Sequence, residues 1–118
     1  MYIKKIMFRP VKAVLISEED DHITEIDIDI SSQKREIFGI LKGQATFIGQ
    51  WPEIDVVIMK CRESIFELMM NRNVLPVPFD TEVVVGPILL IRMDENSEPR
   101  DFTLEEYTRF QQAQLLRT

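Results

Sequence analysis

Few side chains in this sequence are equipped for chemistry. The single histidine, His22, sits in an acidic stretch, and the single cysteine, Cys61, ends an apolar run. A thiol becomes a nucleophile when a nearby imidazole takes its proton, but nothing in the spacing brings these two together. One of each also falls short of the four ligands a structural zinc site needs. Glu25, Asp27 and Asp29 alternate with Ile26, Ile28 and Ile30. Hard cations take carboxylate oxygens, yet same-face neighbours on one strand stand about 7 Å apart, too far to share an ion unaided. The three carboxylates therefore read as the solvated face of a strand. The four glycines, Gly39, Gly43, Gly49 and Gly86, are dispersed, and no phosphate-binding glycine loop or dinucleotide fingerprint occurs. No cofactor, metal site or catalytic residue is expected.

The remaining candidates concern recognition. Asn71-Arg72-Asn73 sets a guanidinium between two amides, ahead of a segment stiffened by Pro76 and Pro78. Arginine binds carboxylates and phosphates through two parallel hydrogen bonds, and amides can orient the ligand. Asparagine is equally a turn residue, because it tolerates left-handed backbone and bonds its own main chain. Both readings stand: a plain turn between strands, or a ligand-binding cluster completed by Arg92 or Trp51. Trp51, at the end of 47-FIGQW-51, would either stack a ring or pack at a strand end, and the second is favoured.

The elements that must position these residues follow from pattern. Residues 2–8 and 11–16 read as extended, with 18-EEDDH-22 as a hairpin turn and 23-ITEIDIDI-30 as a half-buried strand. Ser31 or Ser32 can cap a following helix in which Ile37, Ile40 and Leu41 form one stripe, closed by Gly43. Two β-rich segments, 44–51 and 54–61, are separated by Pro52. Residues 62–72 fit either a helix or a turn with a returning strand, and the hairpin is favoured. The run 83-VVVGPILLIRM-93, apolar on both faces, suits a central strand bent at Gly86-Pro87. Thr103 and Glu106 form a capping box that starts a helix at Leu104, with Phe102 and Tyr107 as its hydrophobic staple. The fold expected is α+β: a mainly antiparallel sheet of five to seven strands with two helices packed on it, in one domain.

Composition limits the setting. At 118 residues and 45% apolar, the chain can fill one core. A lone cysteine forms no internal disulfide, which suits a reducing compartment. No apolar run approaches the roughly 20 residues of a membrane-spanning helix, and the N-terminal apolar run, broken by Arg9, Pro10 and Lys12, is too short for a signal peptide. The net charge of −6 opposes non-specific binding to nucleic acid. Bases gather in residues 1–12 and acids in 18–29, as expected of neighbouring strands that partly neutralise one another. The uncharged segment 83–91 suggests pairing between copies, so a homo-oligomer is expected.

One resemblance adds to this. An asparagine-containing turn, Leu75-Pro76, Asp80, a Val-rich strand meeting Gly86, and the Phe102-Thr103-Leu104 helix start occur here in one order. The set, over about residues 34–110, resembles a small domain-of-unknown-function family of bacteriophages and large DNA viruses. The strings NRNVLPVPFD and 92-RMDENSEPRDFTLEEY-107 are similar to its algal-virus branch. The resemblance implies an α+β viral accessory protein with no assigned activity, located in the host cytoplasm or nucleus. The function expected is a non-enzymatic binding module for a small anionic ligand or a host protein. A structural or assembly protein of the virion and a nucleotide-processing enzyme are the alternatives.

Overall fold

The computed structural model describes residues 10–30, 35–62 and 69–116. The elements run β1 (Val11–Ile16), β2 (Ile23–Ile28), α1 (Glu36–Leu41), β3 (Ala45–Trp51), β4 (Val56–Cys61), β5 (Ile88–Met93), β6 (Pro99–Arg100) and α2 (Leu104–Leu116). The strands form one sheet in the order β2-β1-β5-β4-β3, with the short β6 beside the end of β5. Every ladder is antiparallel. The fold is therefore α+β, with a mainly antiparallel sheet of five to six strands and two helices.

β5 is central because its sequence can bury both faces. Ile88 and Leu90 join one core, with Val14, Ile16, Ile58, Trp51, Phe102, Tyr107 and Phe110. Leu89 and Ile91 join the opposite core, with Ala13, Ile28, Leu41 and Met59. The central strand begins only after Pro87. Val83 is 71% exposed, and Val85 makes an isolated bridge to Met70. The expected pairing of copies through 83–91 is thus contradicted for 88–91, whose hydrogen bonds are taken by β1 and β4.

The two faces are covered unequally. α2 spans thirteen residues and lays Tyr107, Phe110 and Gln114 on the first core, and the excursion between Met69 and Pro87 adds Leu75, Phe79 and Val84. Among the described residues, the second face is covered by the six residues of α1, with Ile30 and Val85 beside them. Ile37, Ile40 and Leu41 pack there as expected. The left-handed residue that ends α1 is Lys42, at φ 62°, rather than Gly43. Gly43 is required for space: a Cβ there would lie 2.6 Å from the Cys61 Sγ. The serine cap and the helix-or-hairpin question fall on residues 31–34 and 63–68, which lie outside the described residues.

The capping box is formed in both directions. The Glu106 amide donates to the Thr103 hydroxyl and the Thr103 amide to the Glu106 carboxylate, each at 3.1 Å. Phe102 and Tyr107 close the staple, with ring centroids 6.2 Å apart. Thr103→Ala is expected to cost about 1 kcal/mol, read as a lower denaturant midpoint with an unchanged slope.

The acidic row divides three ways. Asp27 keeps the solvated role, beside Lys12 Nζ at 3.9 Å. Glu25 also meets Lys12, at 3.5 Å, and accepts the Leu104 amide at 3.0 Å. It places a negative charge at the N-terminus of α2, where orphan amides and the helix dipole favour one. Asp29, expected to be exposed, is buried, because β2 stops at Ile28 and the chain turns in towards Glu36, whose carboxylate accepts the Asp29 amide.

Candidate functional site

The residues singled out for recognition fall in three places. Asn71 is only 8% exposed. Its amide nitrogen donates to the carbonyls of Ile16 (3.1 Å) and Gly86 (3.0 Å), while its oxygen accepts from the Asn73 amide. Asn73 donates to the carbonyls of Ser17 and Glu19, both at 2.8 Å, and its oxygen accepts the Asp21 amide. The pair clasps the excursion to the β1–β2 turn and holds its own backbone. Arg72 between them is exposed, tied there by its amide to the Glu18 carbonyl.

Arg92 stands at the far end of β5. It lies six positions beyond Gly86, about 20 Å of extended chain. Its guanidinium donates to the carbonyls of Ile54 (3.1 Å) and Asp101 (2.9 Å) and to Glu106 Oε2 (2.7 Å), and it lies 5.0 Å from the Phe102 ring centroid. Partial burial works to raise the Glu106 carboxyl. The Arg92 bond and the Thr103 amide outweigh it and hold the group below its ordinary value. The shallow pocket here, about 290 Å³ and lined by Ile54, Arg92, Phe102, Glu106, Arg109 and Phe110, is built around a cation already paired.

Trp51 is at 0% exposure. Its indole nitrogen donates to the Val77 carbonyl at 3.1 Å, and its ring meets Phe79 edge-on at 5.8 Å and Phe110 at 5.2 Å. The five residues do not share one pocket.

A larger concavity lies on the thinly covered face. An open groove of about 410 Å³ is lined by Ile30, Ile37, Val57, Met59, Ile91 and Met93 on its floor and walls. Phe47 and Gln50 bound it at the β3 edge, and Asp55, Asp94, Glu95 and Ser97 bound its open end. Asp94 is committed to its own loop: it accepts the Asn96 and Glu98 amides and pairs with Arg100. Its carboxyl is lowered chiefly by the Glu98 amide bond. Asp55 and Glu95 form no ion pair among the described residues.

The groove owes its β3 wall to a bulge. Phe47 pairs with Met59, but Gly49, not Ile48, pairs with Ile58. Two residues oppose one there, which reverses the alternation. Phe47 and Gln50, three apart, consequently share the groove face. Gly49 turns to the other core, where Phe79 CZ would lie 2.5 Å from a Cβ. The strand reading of 44–51 missed this, although glycine inside the β-rich run 45-ATFIGQW-51 is the usual mark of a bulge. His22 lies in the exposed β1–β2 turn beside Glu19, and the buried Cys61 thiol points to the Lys42 carbonyl. No cluster of three or more metal-ligating side chains occurs among the described residues, and no described helix is long and apolar enough to cross a membrane.

Fold and groove define a small α+β module that, among the described residues, has one sheet face sealed and the other open. Residues 14–110 match the family described as a family of unknown function, DUF5880, and the chain belongs to that family. The match begins at Val14 and so takes in most of the opening hairpin, which the resemblance over 34–110 had left out. Searches of curated proteins and of solved structures found no match.

Proposed function

We propose that this chain is a non-enzymatic binding module whose receiving surface is the open groove on the α1 face, and that it takes a segment of a host protein. The observation that carries the reading is an apolar floor that no described residue covers, beside an acidic end. An apolar concavity of about 410 Å³ is of the size that receives side chains or a small ligand. Asp55 and Glu95 at its end favour a lysine- or arginine-bearing segment and oppose a small anion, as does the net charge of −6. The cations at the Arg92 pocket are spent, since Arg92 is paired with Glu106 and Arg109 with Glu105. The resemblance of the 92–107 string to algal-virus proteins supports assigning the module to a virus, acting inside its host cell.

Selection of a random dodecapeptide library on the immobilised chain tests this reading. Enriched peptides should combine apolar residues with lysine or arginine. Their affinity should fall by about tenfold or more for Phe47→Glu, since losing an aromatic contact commonly costs that much. Phe47 is 63% exposed, so the variant should fold. Enrichment of acidic peptides, or equal affinity for the variant, would overturn the reading.

A further inference from the structure

The two edges of the sheet are built differently. The β2 edge carries exposed Glu25 and Asp27, set against Lys12 on β1. Charges of this kind keep an edge from pairing with another chain. The β3 edge has no such protection. Its seven residues, Ala45–Trp51, include no ionisable side chain, and among the described residues β3 is hydrogen-bonded only to β4. Among the described residues, that leaves roughly 24 Å of strand with no strand partner along one side. Phe47 stands exposed at its middle.

The ends of this edge carry opposite charge. At the Trp51 end lie Glu53 and Asp55, in the turn to β4, with Glu95 beside them at the end of the groove. At the Ala45 end lie Lys42, just before the strand, and Lys60 and Arg62, the last set by its amide bond to the Gln44 carbonyl. An antiparallel neighbour of the same sequence would put its basic end against this acidic end, and its acidic end against this basic one. An edge with that pattern is complementary to itself under a twofold axis, which is the requirement for a closed dimer.

We infer that β3 is a homodimer edge: two copies pair β3 antiparallel to β3 and join their sheets into one. The twofold axis of such a pairing runs perpendicular to the sheet, so both grooves open on the same side and meet at the two Phe47 rings. Each groove then gains the second copy's Phe47 as a wall. The net charge of −6 opposes association only weakly at physiological salt, where screening acts over about 8 Å, so the local end-to-end pairs decide.

Sedimentation equilibrium of the full chain tests the inference. The wild type should weigh twice 13.9 kDa and dissociate on dilution. Lys42→Glu with Arg62→Glu should set acid against acid and raise the dimer dissociation constant by about tenfold or more, as should Glu53→Lys with Glu95→Lys. All four changes together should restore the dimer. Hydrogen exchange should show alternate amides of 45–51 protected in the dimer and released on dilution. A monomer at the highest soluble concentration would overturn the inference. A dimer indifferent to both reversed pairs, or one weakened by them without rescue in the combination, would overturn it equally. The groove reading stands apart from this result, because the peptide selection can be repeated on the Lys42→Glu, Arg62→Glu variant, whose changes lie outside the groove lining.

Discussion

Trp51→Ala is expected to lower the stability of this domain by about 4 kcal/mol, the range for deleting a fully buried large aromatic. Three effects converge on that figure. The indole is wholly enclosed, so its removal opens a cavity that Phe79, Tyr107 and Phe110 cannot all collapse to fill. The edge-on ring contacts add stabilisation beyond the area they bury. The Val77 carbonyl loses the donor that reaches it across the sheet end. Against a total stability of about 5–15 kcal/mol for a small domain, the variant would stand close to unfolding at moderate temperature. Denaturant titration measures this. Trp51→Phe should recover most of the loss while leaving the Val77 carbonyl without its indole partner. A loss below about 1 kcal/mol in Trp51→Ala would contradict the packing role and return the ring to the list of recognition groups.

Asn71→Ala comes second, at about 3 kcal/mol. Its amide bridges two carbonyls in a site where water has little access, and its oxygen holds the Asn73 amide. Truncation removes three bonds to the main chain at once, and polar groups left unmet in such a site cost more than the bonds themselves contribute. Asn71→Asp should be about as damaging, because a carboxylate would face two carbonyl oxygens. Arg72→Ala, one residue along, should stay within about 0.5 kcal/mol, as for surface positions generally. Thermal melts of the three variants give the comparison. Equal effects at 71 and 72 would mean that the clasp contributes nothing specific.

The parts of this fold legible in the sequence are those written in local pattern. The T-x-x-E box, the β1–β2 hairpin and the two-faced apolar run of β5 each depend on neighbours within a few residues, and each is found in the structure. What escaped depends on distant partners. Asp29 alternates faultlessly with the isoleucines, yet it is buried because the chain bends after Ile28, which no periodicity records. The Asn71-Arg72-Asn73 triplet has the composition of a site and of a turn alike, and only the positions of Ile16 and Gly86 reveal where its amides are directed. The groove was illegible for the same reason: it is a gap between elements distant in the sequence, bounded by β3, β4, β5 and α1. The uncharged β3 edge was visible as composition, but that it lies at an edge is a matter of topology.

The clasp at Asn71 also acts as a gauge of strand alignment. Ile16 faces Ile88 across the β1–β5 ladder, and Gly86 lies two residues before Ile88, so one amide reaches both carbonyls only when β1 and β5 are in their native register. A slip of one residue would carry every side chain of β5 to the opposite face. Since both faces of that strand are apolar, hydrophobicity alone would scarcely object to the error. Asn71 does: in a slipped sheet at most one of its two carbonyls stays within reach, and a polar group is left buried without its partner. A strand whose greasiness makes it indifferent to misalignment is thus held to its native alignment by an amide from outside the sheet.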